Sequence, residues 1–222
     1  MTGTIITPPR IKEYDYYLFD ADGTLFDTAE MILRCFENTA QVHGLPQPGR
    51  EQVLKYVGLP LRTQMEQYFG KLTDELFARY RDTHMTYQLE IYRDYLILCP
   101  GVAEALPHLV QHGKKCAVVT SRMMHTLSIY LKETGIDRYF GAFITPECTQ
   151  RHKPDPQPAF EALARLGGTA DRALFIGDAS FDIECGSRAG TDTAFVGWSL
   201  TALATPDVQP TWRINDMREL CR

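Results

Sequence analysis

Four short clusters in the chain bring together the groups needed to handle a phosphate: Asp20-Ala21-Asp22-Gly23-Thr24, Thr120-Ser121, Lys153-Pro154, and Gly177-Asp178 with Asp182 four residues on. Phosphoryl transfer needs cations and hydrogen-bond donors to hold a charged phosphate while a nucleophile attacks in line. Asp20 is a candidate nucleophile. Asp22, two residues on, would face the same side if strand geometry persists, where it could protonate a leaving oxygen and later activate water. Asp20 and Asp178, with Asp22 beside them, offer hard oxygen ligands to Mg²⁺. Lys153 supplies a point charge, and the hydroxyls of Thr120 and Ser121 donate to phosphate oxygens.

Each cluster sits where a strand signal ends. Tyr16 to Phe19 is a short apolar run stopping at Asp20, Lys115 to Thr120 is β-branched, and Ala173 to Ile176 runs into Gly177-Asp178. Between them, helical periodicity predicts helices over Val102 to His112, Met123 to Thr134, Gln157 to Leu166 and Phe181 to Ala189, with further strands at Ala142 to Thr145 and Thr193 to Val196. Strands alternating with helices imply a parallel sheet covered on both faces, and ligands bind outside the carboxyl ends of such strands.

The stretch from Thr28 to Leu96 breaks this alternation. Asp27 followed by Glu30 reads as a capping box opening a helix that ends near Gly44. Two shorter helices follow at Glu51 to Val57 and Leu61 to Phe69. A long one then carries Phe77, Tyr80, His84, Tyr87, Ile91 and Tyr95 at steps of three and four. So long a helical piece after the first strand is an inserted four-helix domain rather than a loop. The expected division is an α/β core of residues 1–27 and 97–222 and a helical cap of residues 28–96.

Composition narrows the function classes. With 44% hydrophobic and 23% charged residues the chain can bury a sizeable core, and its net charge of −5 lacks the basic excess of a nucleic-acid binder. The six cysteines are scattered singly with no CxxC pair, which suits reduced thiols. Met1 to Asp15 has no apolar signal core, and no window is long and apolar enough to span a membrane. The expectation is a cytoplasmic protein with a small phosphorylated substrate and no nucleic-acid or membrane partner.

In these four motifs, present in order along most of the chain, the sequence resembles the haloacid dehalogenase superfamily of Asp-nucleophile phosphohydrolases. The resemblance implies a Rossmann-like parallel sheet with helices on both faces, plus the family's first class of helical cap. Val57-Gly58-Leu59-Pro60-Leu61 is similar to the cap segment of its phosphoglycolate phosphatase and pyrophosphatase branch. It further implies Asp20 as nucleophile, Asp22 as acid/base, Thr120, Ser121 and Lys153 as phosphate ligands, and Asp178 on a Mg²⁺ ion. Asp182 would stand behind the metal ligands or hold Lys153. Asp22 argues against dehalogenation, since dehalogenases of the family lack it. Ile32, where the family's sugar-phosphate mutases carry a cap histidine, argues against mutase activity.

Other residues have plainer readings. Arg62 in the cap and Arg122 beside Ser121 are candidates to read a substrate anion, yet arginine is mostly a solvated surface residue. His108 and His112, one helical turn apart with Glu104 a turn back, read as solvated polarity rather than a metal face, and the tyrosine stripe reads as packing. A receiver-like phospho-acceptor also gathers Asp, Ser/Thr and Lys on a parallel sheet, and an idle regulatory protein could share the fold. The long cap and Asp22 favour the enzyme, a Mg²⁺-dependent hydrolase of a small phosphoglycolate-like metabolite or of pyrophosphate that works through an aspartyl phosphate.

Overall fold

The computed structural model describes residues 11–200, 203, 207 and 209–221. The N-terminal stretch read above as lacking a signal core therefore lies largely outside the described residues. Six strands form one parallel sheet: β1 (Tyr16–Phe19), β4 (Lys115–Val119), β5 (Phe140–Ile144), β6 (Ala173–Gly177), β7 (Asp192–Val196) and β8 (Trp212–Ile214), in the order β5-β4-β1-β6-β7-β8. The short strand β8 has no counterpart in the sequence reading.

Side-chain alternation divides the core into two layers. Tyr17 and Phe19 of β1, Cys116 and Val118 of β4, and Leu174 and Ile176 of β6 pack on one side with α5 (Val102–Gln111) and α6 (Met124–Thr134). Leu18, Ala117, Val119, Ala173 and Phe175 face the other, against α7 (Gln157–Leu166) and α8 (Ser180–Ala189). A strand buried on both faces is apolar at every position, which is why these runs carry no polar alternation. The register places Phe19 opposite Val118 and Ile176, so β1, β4 and β6 end level and present Asp20, Thr120 and Asp178 at one edge.

Residues 28–96 lie between two strands too short for periodicity to reveal, β2 (Phe26–Asp27) and β3 (Ile97–Leu98), which pair antiparallel. Between them run α1 (Ala29–His43), α2 (Arg50–Lys55), α3 (Leu61–Phe69) and α4 (Asp74–Tyr95). These helices share a cluster around Phe36, Val53, Met65 and Tyr80. Met31, Cys35 and Tyr92 instead join the main core, tying α1 and α4 to the sheet layer. Helix α1 stops at Gly44, whose φ of 64° is the left-handed value that favours glycine.

The expected capping box at Asp27 and Glu30 does not form. Thr28 is the N-cap residue and makes no side-chain cap bond. Its hydroxyl donates instead to Asp22, and Glu30 pairs with Arg34 and Arg50. No helix among the described residues is long and apolar enough to cross a membrane, and all six cysteines are unpaired.

Candidate active site

The ends of β1, β4 and β6 converge on a charged cluster that is almost wholly buried. Lys153 Nζ donates to Asp20 Oδ1 at 2.5 Å, to Asp182 Oδ1 at 2.6 Å and to the Val119 carbonyl at 3.1 Å, so all three ammonium hydrogens are used. Asp182 lies in the first turn of α8, where its second oxygen accepts from the Ala179 amide at 3.1 Å. Asp20 is positioned by the sheet itself, its amide donating to the Ile176 carbonyl at 2.9 Å.

Two glycines make room for the carboxylates. Gly23 has φ of 76°, and a Cβ there would collide with the Asp178 carboxylate. A Cβ on Gly177 would collide with Asp182 in the same way. Both belong to the motifs read from the sequence.

Electrostatics follow from burial. Desolvation pushes Asp20 up to about 7, with Lys153 acting against the shift and Asp182 with it. Asp178 is raised well above the usual carboxylate range by burial, then by Asp182 and Asp20. Burial disfavours the Lys153 ammonium, but Asp182 and Asp20 outweigh it and hold its pKa above the ordinary lysine value.

The cluster has the chemistry of a divalent-cation site. Asp20, Asp178 and Asp182 bring carboxylate oxygens within 4.8 Å of one another. When all three are ionised, Lys153 offsets only one charge, leaving an excess that a doubly charged hard cation would neutralise. Both Asp182 oxygens are engaged by Lys153 and the Ala179 amide, so Asp20 and Asp178 are the donors best placed to hold an ion.

Asp22 stands apart from the carboxylates with which it is grouped above as a metal ligand. Its carboxylate is outside the acidic cluster, gripped by Arg122 through Nε at 2.8 Å and Nη2 at 2.6 Å and by the Thr28 hydroxyl at 2.6 Å. The β1 strand ends at Phe19, so strand alternation no longer sets where Asp22 points. Arg122, weighed above as a reader of substrate anions, is occupied by this pairing. Its side chain is 7% exposed, lies 4.4 Å from the centre of the Tyr130 ring, and donates through Nη1 to Thr126 at 3.3 Å.

Asp20, Asp22, Thr120 and Ser121 all line one cleft of about 90 Å³, roofed by Val57, Gly58, Leu59 and Leu61. The structure therefore brings the first two motifs together under the segment likened above to a cap. Lys153, Asp178 and Asp182 stand behind Asp20. Arg62 is not among the residues lining the cleft. It donates to Asp74 at 2.7 Å, Glu66 at 3.3 Å and the Leu72 carbonyl at 2.9 Å, with its guanidinium over Phe77. Position after the turn at Gly58 said nothing of these partners, which engage its guanidinium.

Three cleft residues escaped the sequence reading: Gln64, His84 and Gln88. His84 entered that reading only as one position in the helical period of α4. The available signal was a histidine and a glutamine one turn apart on the buried side of α4.

Comparisons with known proteins identify the family and the fold. The model of the family described as haloacid dehalogenase-like hydrolase matches residues 17–196. The chain is 33% identical over 210 residues to Pyrophosphatase PpaX of Bacillus velezensis, covering 94% of this chain and 95% of that protein. It is 34% identical over 223 residues to Pyrophosphatase PpaX of Listeria monocytogenes serotype 4a, covering 99% and 96%. A crystal structure described as a predicted phosphoglycolate phosphatase from Haemophilus somnus superposes with a TM-score of 0.86 at 22% identity, covering 95% of this chain and 97% of that one. A hydrolase from Pseudomonas syringae gives 0.81 at 22% identity, covering 93% and 95%, and at these identities both likenesses speak to the fold. With the parallel sheet, the ordered strand-end motifs and a family match across most of its length, the chain belongs to the haloacid dehalogenase-like hydrolases.

Proposed function

We propose that this protein is a Mg²⁺-dependent phosphatase that hydrolyses a small phosphomonoester through a phosphorylated Asp20. The observation that carries the reading is the buried Asp20–Lys153–Asp182 network beside Asp178, which holds a carboxylate nucleophile rigidly at the strand ends. Membership of the hydrolase family and resemblance to proteins named pyrophosphatases support phosphate chemistry; the choice of a monoester is ours.

In the first step an Asp20 oxygen bonds to phosphorus while the bond from phosphorus to the leaving oxygen breaks. Protonated Asp22 gives its proton to that oxygen, and the alcohol departs. In the second step Asp22, now a carboxylate, takes a proton from water. The resulting hydroxide attacks phosphorus, releases inorganic phosphate and restores Asp20. Asp22 must leave at least one Arg122 bond to do this, so the Arg122 and Thr28 contacts hold it in a resting position. Lys153 keeps Asp20 in place and adds positive charge near the phosphate, while Thr120 and Ser121 supply hydroxyl donors.

Asp20 and Asp178 would hold Mg²⁺, whose charge, when bound, offsets the repulsion between phosphate and carboxylates. The lid role of residues 28–96 rests on their forming the roof of the cleft, from which closure would exclude water.

The test is phosphate release with Mg²⁺, after EDTA, and after Mg²⁺ is restored, with labelled substrate and an acid quench to trap protein-bound phosphate. Activity that EDTA removes and Mg²⁺ returns, with label on Asp20, is expected. Full turnover in metal-free buffer, or label on another residue, overturns the reading.

A further inference from the structure

The helical segment sets three polar side chains over the cleft where apolar ones would suffice for packing. Gln64 on α3 and His84 and Gln88 on α4 are each more than nine-tenths buried, yet line the cleft together with Asp20 and Asp22. Each holds a polar atom with no partner in the protein: Gln64 Oε1, His84 Nδ1 and Gln88 Oε1. A buried polar group left unpaired costs about 1 to 3 kcal/mol, and the three residues that carry such atoms all line one cleft, which points to a ligand that pairs them.

The amide of Gln64 shows what kind of ligand. Its Nε2 donates to the Leu59 carbonyl at 2.7 Å, which fixes the amide and leaves Oε1 as an acceptor. His84, packed against the Phe36 ring at 4.7 Å, is held neutral by burial, with Arg122 adding to the effect, at a pKa of about 3. Arg122 is the one guanidinium or ammonium among the described residues lining the cleft, and Asp22 already neutralises it. The remaining wall is apolar, with Ile32, Val57, Leu61 and Met85. In this resting arrangement, with Arg122 held by Asp22, a second anion on the incoming substrate would meet an acceptor oxygen and no unpaired cation, whereas a hydroxyl would donate to it.

Resting on the phosphatase reading, we propose that Gln64, His84 and Gln88 recognise the leaving group. That group is a small uncharged alcohol bearing at least one further hydroxyl, which donates to Gln64 Oε1, rather than a carboxylate or a second phosphate. The small cleft volume favours a leaving group of few atoms. A site built to hydrogen-bond a hydroxyl discriminates strongly against analogues that lack it.

The experiment uses the full chain with Mg²⁺ and compares kcat/KM on glycerol phosphate, phosphoglycolate, pyrophosphate and para-nitrophenyl phosphate. Glycerol phosphate is expected to exceed phosphoglycolate and pyrophosphate by at least about tenfold. In Gln64→Met the ratio of glycerol phosphate to para-nitrophenyl phosphate should fall by about tenfold, matching one lost hydrogen bond in a buried site. Gln88→Leu provides a second reading of that ratio should Gln64→Met fold poorly. Preference for either anionic substrate, or a ratio unmoved in the variants, overturns the assignment. Absence of turnover on every substrate, the aryl ester included, instead overturns the phosphatase reading, and the assignment falls with it.

Discussion

Lys153 and Arg62 are both cations that the sequence nominated for substrate, and each faces two carboxylates, yet they sit in opposite surroundings. Lys153, at the strand ends, is 3% exposed and bonds Asp20 and Asp182, themselves 4% and 2% exposed. Arg62, on α3, is 40% exposed, and its partners Asp74 and Glu66 are 88% and 33% exposed. Coulomb attraction between solvated groups is screened and offset by side-chain entropy, so the Arg62 pairs contribute little. The same contacts out of water are strong, and breaking one leaves a charge with no solvent to replace its partner. Burial, rather than the number of partners, separates a device that holds a carboxylate in place from a surface bracket.

The largest effect expected from breaking the buried side of this comparison is on turnover. Asp20→Asn should lower kcat by on the order of 10⁴ to 10⁶, because an amide is a poor nucleophile, and phosphate-release assays would show it. Activity within tenfold of the parent would mean that the buried network is structural only.

Next in size is stability. Lys153→Met should cost about 3 to 5 kcal/mol in urea unfolding, since it leaves Asp20 and Asp182 buried without their cation. A loss below about 1 kcal/mol would put Lys153 on the same footing as Arg62.

A third, smaller effect is a pH dependence of metal-free protein. Burial raises the folded pKa of Asp20 to about 7, above its unfolded value, so the folded state binds more protons between the two. The stability tied to Asp20 is therefore complete below the unfolded pKa and is lost as pH rises through about 7. His84, lowered to about 3 by burial, gives the opposite slope below its unfolded pKa. The informative quantity is thus the difference between the parent and Asp20→Asn. The parent should lose stability relative to the variant from about pH 4 to pH 8, and Mg²⁺ should reduce that loss. Parallel stability curves would show that Asp20 does not carry the strain of burial.

The smallest effect belongs to Arg62→Ala, which should leave thermal and urea unfolding almost unchanged, and more nearly so in high salt. A loss as large as that of Lys153→Met would show that the exposed bracket braces the helical segment.

The sequence by itself determined the architecture and the charged end of the site. Apolar runs at Tyr16 to Phe19 and Ala173 to Ile176, short and bounded by turn residues, fit strands buried on both faces, and the motifs sit at their ends, where Gly23 and Gly177 leave room for Asp178 and Asp182. Where the chain was too short or too local for a period, the reading missed: β2 and β3 have two residues each and β8 three, below any alternation signal. Thr28, Asp22 and Arg122 show what only the tertiary structure decided. Local spacing gave Thr28 no role, put Asp22 in line with Asp20 and offered Arg122 to a substrate anion, whereas the fold joins the three in one hydrogen-bonded group across 100 residues of chain. Gln64 and His84 belong to the same category. A helical period reports which face is buried, but whether a polar side chain on that face meets a partner or a cavity depends on elements distant in sequence, and only their packing against the sheet end makes these residues the wall of a site.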